Sequence, residues 1–349
     1  MTQGTVAGAR LTEDEAALYD RQIRLWGVQA QQRLRNANIL VLICDGAVSG
    51  GLALELCKNI VLAGIGSLAI RGGSVVRAED LAALFYANPS DIGKHAVPVI
   101  AARLRLLNPR VVITTDITPV GGDDSGLTVE YLSSFTAVCV IGGKQSFITR
   151  VNDLCRSSEC KSANGESILF YAADAFGFYG YIYNDLQSHH YEETREETAA
   201  DGTTSTVKVR SVEEYNSFAS AVTRVFPSNL SIKKLRNQIS PVTVLVMALW
   251  QYETDNEGKR PAMADVESFA ECLKGVSSAK GLPTTYATDD SDLVERFVNS
   301  SIVAFGPTNS IVGGMLAQEL IRAVSHSGLP ANNFVSFDTF AATSVVNQI

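Results

Sequence analysis

Three groups of residues in this chain could do chemistry. The first is a pair of arginines, Arg21 and Arg24, in the run Leu18-Tyr19-Asp20-Arg21-Gln22-Ile23-Arg24-Leu25-Trp26-Gly27. A guanidinium is always charged and offers a rigid fork of donors, which suits it to stabilising phosphoryl oxygens. Taken alone, both arginines read as solvated groups on an amphipathic helix. The second group is the glycine-bearing turn at residues 45–51, between an apolar run at 39–43 and a helical run at 52–62. A strand, turn and helix in that order hold a nucleotide phosphate at the helix N-terminus, and glycine lets the backbone approach it closely. The third is Asp91-Ile92-Gly93-Lys94. Lys94 could meet a phosphate there, or else follow an acidic N-cap as a solvated lysine.

The six cysteines offer no comparable pattern. Cys155 and Cys160 are the closest pair, and no second pair follows at zinc-site spacing. Cys44 and Cys139 lie in apolar strand-like runs and Cys57 in a helix, so each reads as a buried thiol. Cys272, in Phe269-Ala270-Glu271-Cys272-Leu273, has no cationic neighbour to lower its pKa and reads as a packed helical thiol. A net charge of −8 argues against nucleic acid. No apolar run approaches the ~20 residues that span a bilayer, which argues against a membrane. Residues 1–10 are polar and glycine-rich without an apolar signal core, which implies an intracellular chain with free thiols.

Positioning such groups takes ordered elements. Thr12-Glu13-Asp14-Glu15 reads as a capping box that opens a helix, with Leu18, Tyr19, Ile23 and Trp26 close to one face. A second helix is expected over 28–35. Strands are expected at 39–43, 67–70, 111–115, 137–141 and 168–171, and helices at 52–62, 93–107 and from 142 to 155. That alternation predicts an α/β chain with a Rossmann-like, mostly parallel sheet and helices on both faces. Residues 176–183 alternate like an antiparallel strand, and 189–206 are polar, acidic and read as a flexible segment. The stretch 212–300 looks helical. A helix at 311–324 and a strand at 333–338 then resume the α/β habit. The chain therefore divides into a first α/β part (1–184), a flexible segment with a mainly helical insert (185–300), and a return to the first domain (301–349).

The run from Leu18 to Gly27 resembles the N-terminal helical signature of the subunits that activate ubiquitin-like proteins, a family with the ThiF/MoeB-like adenylation fold. Ile311-Val312-Gly313-Gly314-Met315-Leu316-Ala317-Gln318-Glu319-Leu320 and Asn332-Asn333-Phe334 resemble its V-G-G-x-x-A-Q-E helix and N-N-F strand. Within the family the likeness is greatest to the smaller, non-catalytic subunits of SUMO-activating enzymes. Chain length sets it apart from the longer subunit for NEDD8, which stays the alternative. By this resemblance the nucleotide site is degenerate. The glycine motif falls on Val48, Gly50 and Ala53; Gly72 replaces the ribose-binding acid; Ala82 and Ala83 lie in place of phosphate-contacting residues; and Gly143 replaces the magnesium-binding aspartate. Lys94 is retained. The resemblance implies a pseudo-adenylation domain that binds neither nucleotide nor metal itself. Its larger catalytic partner would bind ATP and magnesium, adenylate SUMO and form the thioester. Arg21 would reach that ATP in trans, with Arg24 as a further candidate. A nuclear location is implied by the family alone. A stand-alone dinucleotide-dependent oxidoreductase is the alternative of another class, with Arg71 as a candidate for a 2′-phosphate.

Overall fold

The computed structural model describes residues 11–45, 50–122, 126–198, 204–227 and 232–349. Val48, with the rest of 46–49, and the polar N-terminus at 1–10 lie outside the described residues. Thr12 caps α1 (Glu13–Leu18), accepting the Glu15 N–H while the Glu15 carboxylate accepts the Thr12 N–H, as the capping box requires. Tyr19 interrupts the helix, and α2 (Asp20–Trp26) follows. Gly27, at φ +89°, turns the chain into α3 (Val28–Asn36). One continuous amphipathic helix is thus replaced by two short ones, with Tyr19 buried at the joint and Leu18 58% exposed.

The α/β rhythm then runs through β1 (Asn38–Ile43), α4 (Gly50–Ala63), β2 (Ser67–Arg71), α5 (Ala96–Leu107), β3 (Val112–Asp116), a short α6 (Val129–Leu132), β4 (Ala137–Ile141), α7 (Gln145–Arg156) and β5 (Leu169–Phe176). β6 (Tyr179–Asp185) returns antiparallel to β5 through Gly177, so the alternating stretch expected at 176–183 spans a hairpin turn. β1, β2, β3, β4 and β5 are parallel in the spatial order β3-β2-β1-β4-β5, and β6, β9 (Phe334–Asp338) and β10 (Thr343–Asn347) extend the sheet antiparallel. β1, β4 and β5 show no polar alternation because helices cover both faces of the sheet.

The expected flexible segment is corrected by a hairpin. β7 (Ser188–Thr198) and β8 (Thr204–Glu214) pair antiparallel, with residues 199–203 outside the described set. β8 also displaces the start of the helical stretch expected from 212. β-branched residues favour such a ribbon, and Arg210 bonds Glu192 across it at 3.1 Å. Its base is tied to the body where the Glu192 N–H donates to the His326 carbonyl.

The remaining helices are α8 (Phe218–Thr223), α9 (Ile232–Gln238), α10 (Pro241–Asp255), α11 (Val266–Ala279), α12 (Ser291–Ser300) and α13 (Gly306–Ser325). α10 is apolar on nearly every side from Val242 to Trp250 and needs burial all round. It lies between the sheet, where Trp250 meets Tyr181 and Phe334, and α11, where Tyr252 meets Phe269. The inserted helices therefore form one layer over the sheet and share its core. α3, α4, α5 and α13 cover the other face.

Candidate nucleotide crevice and arginine helix

In an open parallel sheet the ligand crevice lies beyond the strand C-termini where strand order reverses, here between β1 and β4. A cavity of about 210 Å³ remains beside it, walled by Ile43, Gly50, Gly72, Ala83, Val97 and Ala304 among others. Pockets for drug-sized ligands run to roughly 300–1,000 Å³. The walls explain the small volume. A Cβ on Gly72 would stand 2.9 Å from the Ile43 carbonyl oxygen, so β1 backbone occupies the place an acid would start from. A Cβ on Gly51, in the first turn of α4, would meet the Asn309 amide at 2.5 Å and the Ala83 carbonyl at 2.9 Å. Ala82 ends a short 3₁₀ turn over 79–82, and Ala53 is buried in the core. Gly143, at φ +101°, has no room for a side chain, since its Cβ would lie 2.7 Å from Cys44 Sγ. Lys144 instead reaches the Glu257 carbonyl at 3.4 Å, in the loop after α10.

Sequence reasoning passed over two carboxylates at this end of the sheet. Asp45 follows β1 and accepts from the Gly73 N–H, the Ser74 hydroxyl and the Val120 N–H, which staples together the chain leaving β1, β2 and β3. Asp174, in β5, is buried and bonded to Arg260 from the insert. Arg260 also donates to Glu253 at 2.8 Å and to the Ser301 carbonyl at 3.0 Å. Burial works against its charge, yet Asp174 and Glu253 hold the guanidinium above its usual range. β5 is buried on both faces and has no alternation that could mark Asp174, and nothing local pairs it with a residue so distant in sequence. Arg71 is buried beside Asp116 of β3 at 3.5 Å and forms no part of the cavity wall.

Lys94 is not free either. Its ammonium bonds Asp91 at 2.9 Å, with Arg103 on the other carboxylate oxygen at 3.6 Å. The Lys94 hydrogen bond leads in holding the Asp91 carboxyl below its ordinary range. Asp91 does not cap a helix as expected. It closes a turn on the Asn88 N–H, Gly93 takes φ +84°, and α5 begins only at Ala96.

The arginines part company on α2. Arg24 pairs with Asp20 at 2.9 Å, both well exposed, an i,i+4 pair of the kind worth at most about 1 kcal/mol. Arg21 is exposed and bonds no described residue. Its helix is nevertheless held firmly from beneath. The last carbonyls of α4, which lack helical partners, are taken by three side-chain amides. Gln22 donates to Leu62 O at 3.2 Å, Gln31 to Ala63 O at 2.9 Å and Asn108 to Val61 O at 2.9 Å. Asn108 also donates to the Tyr19 hydroxyl at 2.8 Å, and Gln31 accepts from the Trp26 indole at 3.1 Å. Gly64, at φ +82°, ends α4 flat beneath the Tyr19 ring, where a Cβ would come within 2.5 Å. In the sequence Asn108 shows only as the residue before Pro109, a helix stop.

The remaining candidates fit plain packing. Gly313 closes α13 onto this chain's own α4, its Cβ position 2.6 Å from Glu55 Cβ, whereas Gly314 faces open space. Cys44, Cys57 and Cys139 are buried. Burial pushes the Cys272 thiol up to about 11. Among the described residues no cluster of His, Cys, Asp and Glu could hold a metal ion, and no helix is long and apolar enough to cross a membrane.

A family model described as the ThiF family matches residues 19–348. The chain is 29% identical to SUMO-activating enzyme subunit 1 of Bos taurus, with 99% of this chain and 98% of the relative covered. It is 28% identical to the Homo sapiens protein of that name, at the same coverage, and 30% identical to SUMO-activating enzyme subunit 1A of Arabidopsis thaliana, with 98% of each covered. Among solved structures, the crystal structure of SeMet PaaA superposes with a TM-score of 0.55 over 99% of this chain and 76% of that one, at 12% identity, a likeness of fold alone.

Proposed function

The chain belongs to the ThiF family, and from that premise we propose that it is the smaller, non-catalytic subunit of a heterodimeric SUMO-activating enzyme. The observation that carries this reading is the likeness, over nearly the whole of both chains, to animal and plant proteins named SUMO-activating enzyme subunit 1. A larger partner subunit binds ATP and magnesium. The C-terminal carboxylate of SUMO attacks the α-phosphate there and pyrophosphate leaves; the partner's cysteine thiolate then attacks the adenylate's carbonyl carbon, forming the thioester and releasing AMP. This chain completes that site with Arg21, whose charge meets the negative charge that builds on the phosphoryl oxygens. Arg24, held by Asp20, is the weaker candidate. The division of labour is supported by the crevice, where Gly72 and Gly143 have no room for an acid or a metal ligand. The same closure, and Arg71 turned to Asp116, count against a dinucleotide oxidoreductase. The complex works in the nucleus, with the cytoplasm as a second location.

The test mixes the purified chain, the large subunit, SUMO and Mg-ATP, and follows thioester formation. Omitting the chain should abolish it, and Arg21→Ala should slow adenylation roughly 10²-fold, the scale for losing one oxyanion-stabilising donor, while the heterodimer still forms. Equal rates without the chain would sink the proposal. NEDD8 in place of SUMO should give no thioester.

A further inference from the structure

We propose that Tyr19 and Asn108 are positioning residues for Arg21: they clamp α2 to the C-terminus of α4 and so fix the reach of the guanidinium toward the partner's nucleotide. This rests on the trans role proposed for Arg21. The geometry favours a built mount over incidental packing. α2 is only seven residues long, bounded by the Tyr19 break and by Gly27, and has no fully buried residue of its own. A helix that short does not hold itself together in water. Gln22 and Trp26 tie it to Leu62 O and Gln31, and its one buried anchor is Tyr19 at its N-cap, 5% exposed, with its ring on Gly64 and its hydroxyl on Asn108. Asn108, also 5% exposed, spends its amide on two partners, the Tyr19 hydroxyl and the Val61 carbonyl. Its carbonyl oxygen accepts the Arg110 N–H at 3.2 Å, so the amide orientation is set by all three bonds. Arg21 lies two positions beyond Tyr19 on this mount, itself unpaired among the described residues. A cation that acts on another subunit's phosphate must be presented at a set place, since misplacement of about 1 Å costs up to about 10²-fold in rate. A buried neutral clamp supplies that order without competing for the charge, as a carboxylate partner would.

The experiment is a double-mutant cycle on the assembled heterodimer. Asn108→Ala and Tyr19→Phe are each measured in the parent and in the Arg21→Ala background by single-turnover adenylation, together with KM for ATP and heterodimer affinity. Tyr19→Phe removes one hydroxyl and keeps the ring, so it tests the clamp even where Asn108→Ala fails to fold. The expected result is a fivefold or greater loss of rate in the parent for either variant, with KM and affinity changed less than twofold, and no further loss once Arg21 is alanine. Equal losses in both backgrounds would assign the clamp to general stability and overturn the inference. Full rate in both variants would do the same. No effect of Arg21→Ala itself would bring down the trans role first, and the positioning role with it.

Discussion

Gly72 offers the sharpest test of the closed crevice. A Cβ there would stand 2.9 Å from the Ile43 carbonyl oxygen, 3.2 Å from Ile43 Cβ and 3.4 Å from Val97 Cγ2. The nearest neighbour is strand backbone, which cannot swing aside as a side-chain tip can. Overpacking of this kind costs about 1–3 kcal/mol. Loss of glycine's freedom in the unfolded chain returns about 0.4–1 kcal/mol. Gly72→Ala should therefore destabilise the chain by about 1 kcal/mol, and its urea midpoint should fall by about 0.3 M. Gly314→Ala is the control. It sits inside α13 with nothing within 4 Å of the added methyl, so it should stabilise by about 0.5–1 kcal/mol. Gly72→Asp restores the residue type that grips ribose in the family's active members, yet Mg-ATP titration of that chain should give no saturable binding. A Gly72→Ala chain as stable as the parent, or saturable Mg-ATP binding by Gly72→Asp, would refute the steric reasoning.

Asp174→Ala leaves the Arg260 guanidinium buried with Glu253 as its remaining carboxylate, and should cost about 3–5 kcal/mol in urea unfolding. His189 is buried, stacked on His326 and close to His190, and burial lowers its pKa from 6.5 to about 4. The unfolded state then binds a proton that the folded state refuses. Its contribution is complete above pH 6.5 and is lost as pH falls toward 4, amounting to about 2 kcal/mol at pH 5. His189→Gln should flatten that part of the pH–stability curve. Cys272 is half-buried, with its thiol raised to about 11, so Cys272→Ser should leave SUMO thioester yield on the complex unchanged, and a lost thioester would make it a participant.

The parallel strands were legible because burial on both faces leaves an uninterrupted apolar run, as at Ile39–Ile43 and Ala137–Ile141. The capping box at Thr12 was legible because it is a local contract between residues three apart. β7 and β8 were not. The polar, acidic stretch 189–206 matches a solvated coil in composition, and what makes β7 and β8 strands is their pairing with each other. β10 was missed for a similar reason: Thr343 and Ser344 are exposed at the sheet edge and leave no apolar alternation to read. The site divides along the same line. Substitutions at Gly72, Ala82, Ala83 and Gly143 can be compared with a motif position by position. The Ile43 carbonyl that closes Gly72 and the Asn108 amide that holds Tyr19 are encounters between remote segments, and they exist only in the fold.

On the function proposed here, α4 joins the nucleotide crevice to the mount of Arg21. Its first turn faces the small cavity, with Gly50 in the wall and Gly51 pressed on Asn309 and Ala83. Its last carbonyls, about 20 Å away at 1.5 Å per residue, are closed by Gln22, Gln31 and Asn108, two of them carried by the N-terminal helices themselves. In a nucleotide-binding member of such a fold the working end of this helix is its positive N-terminus. On the function proposed here the working end is the other one. A C-terminus is electronegative and rich in unpaired acceptors, useless for phosphate but well suited to seating neutral amides. On that function the arginine mounted there, unpaired among the described residues, offers its charge to a phosphate held by the partner.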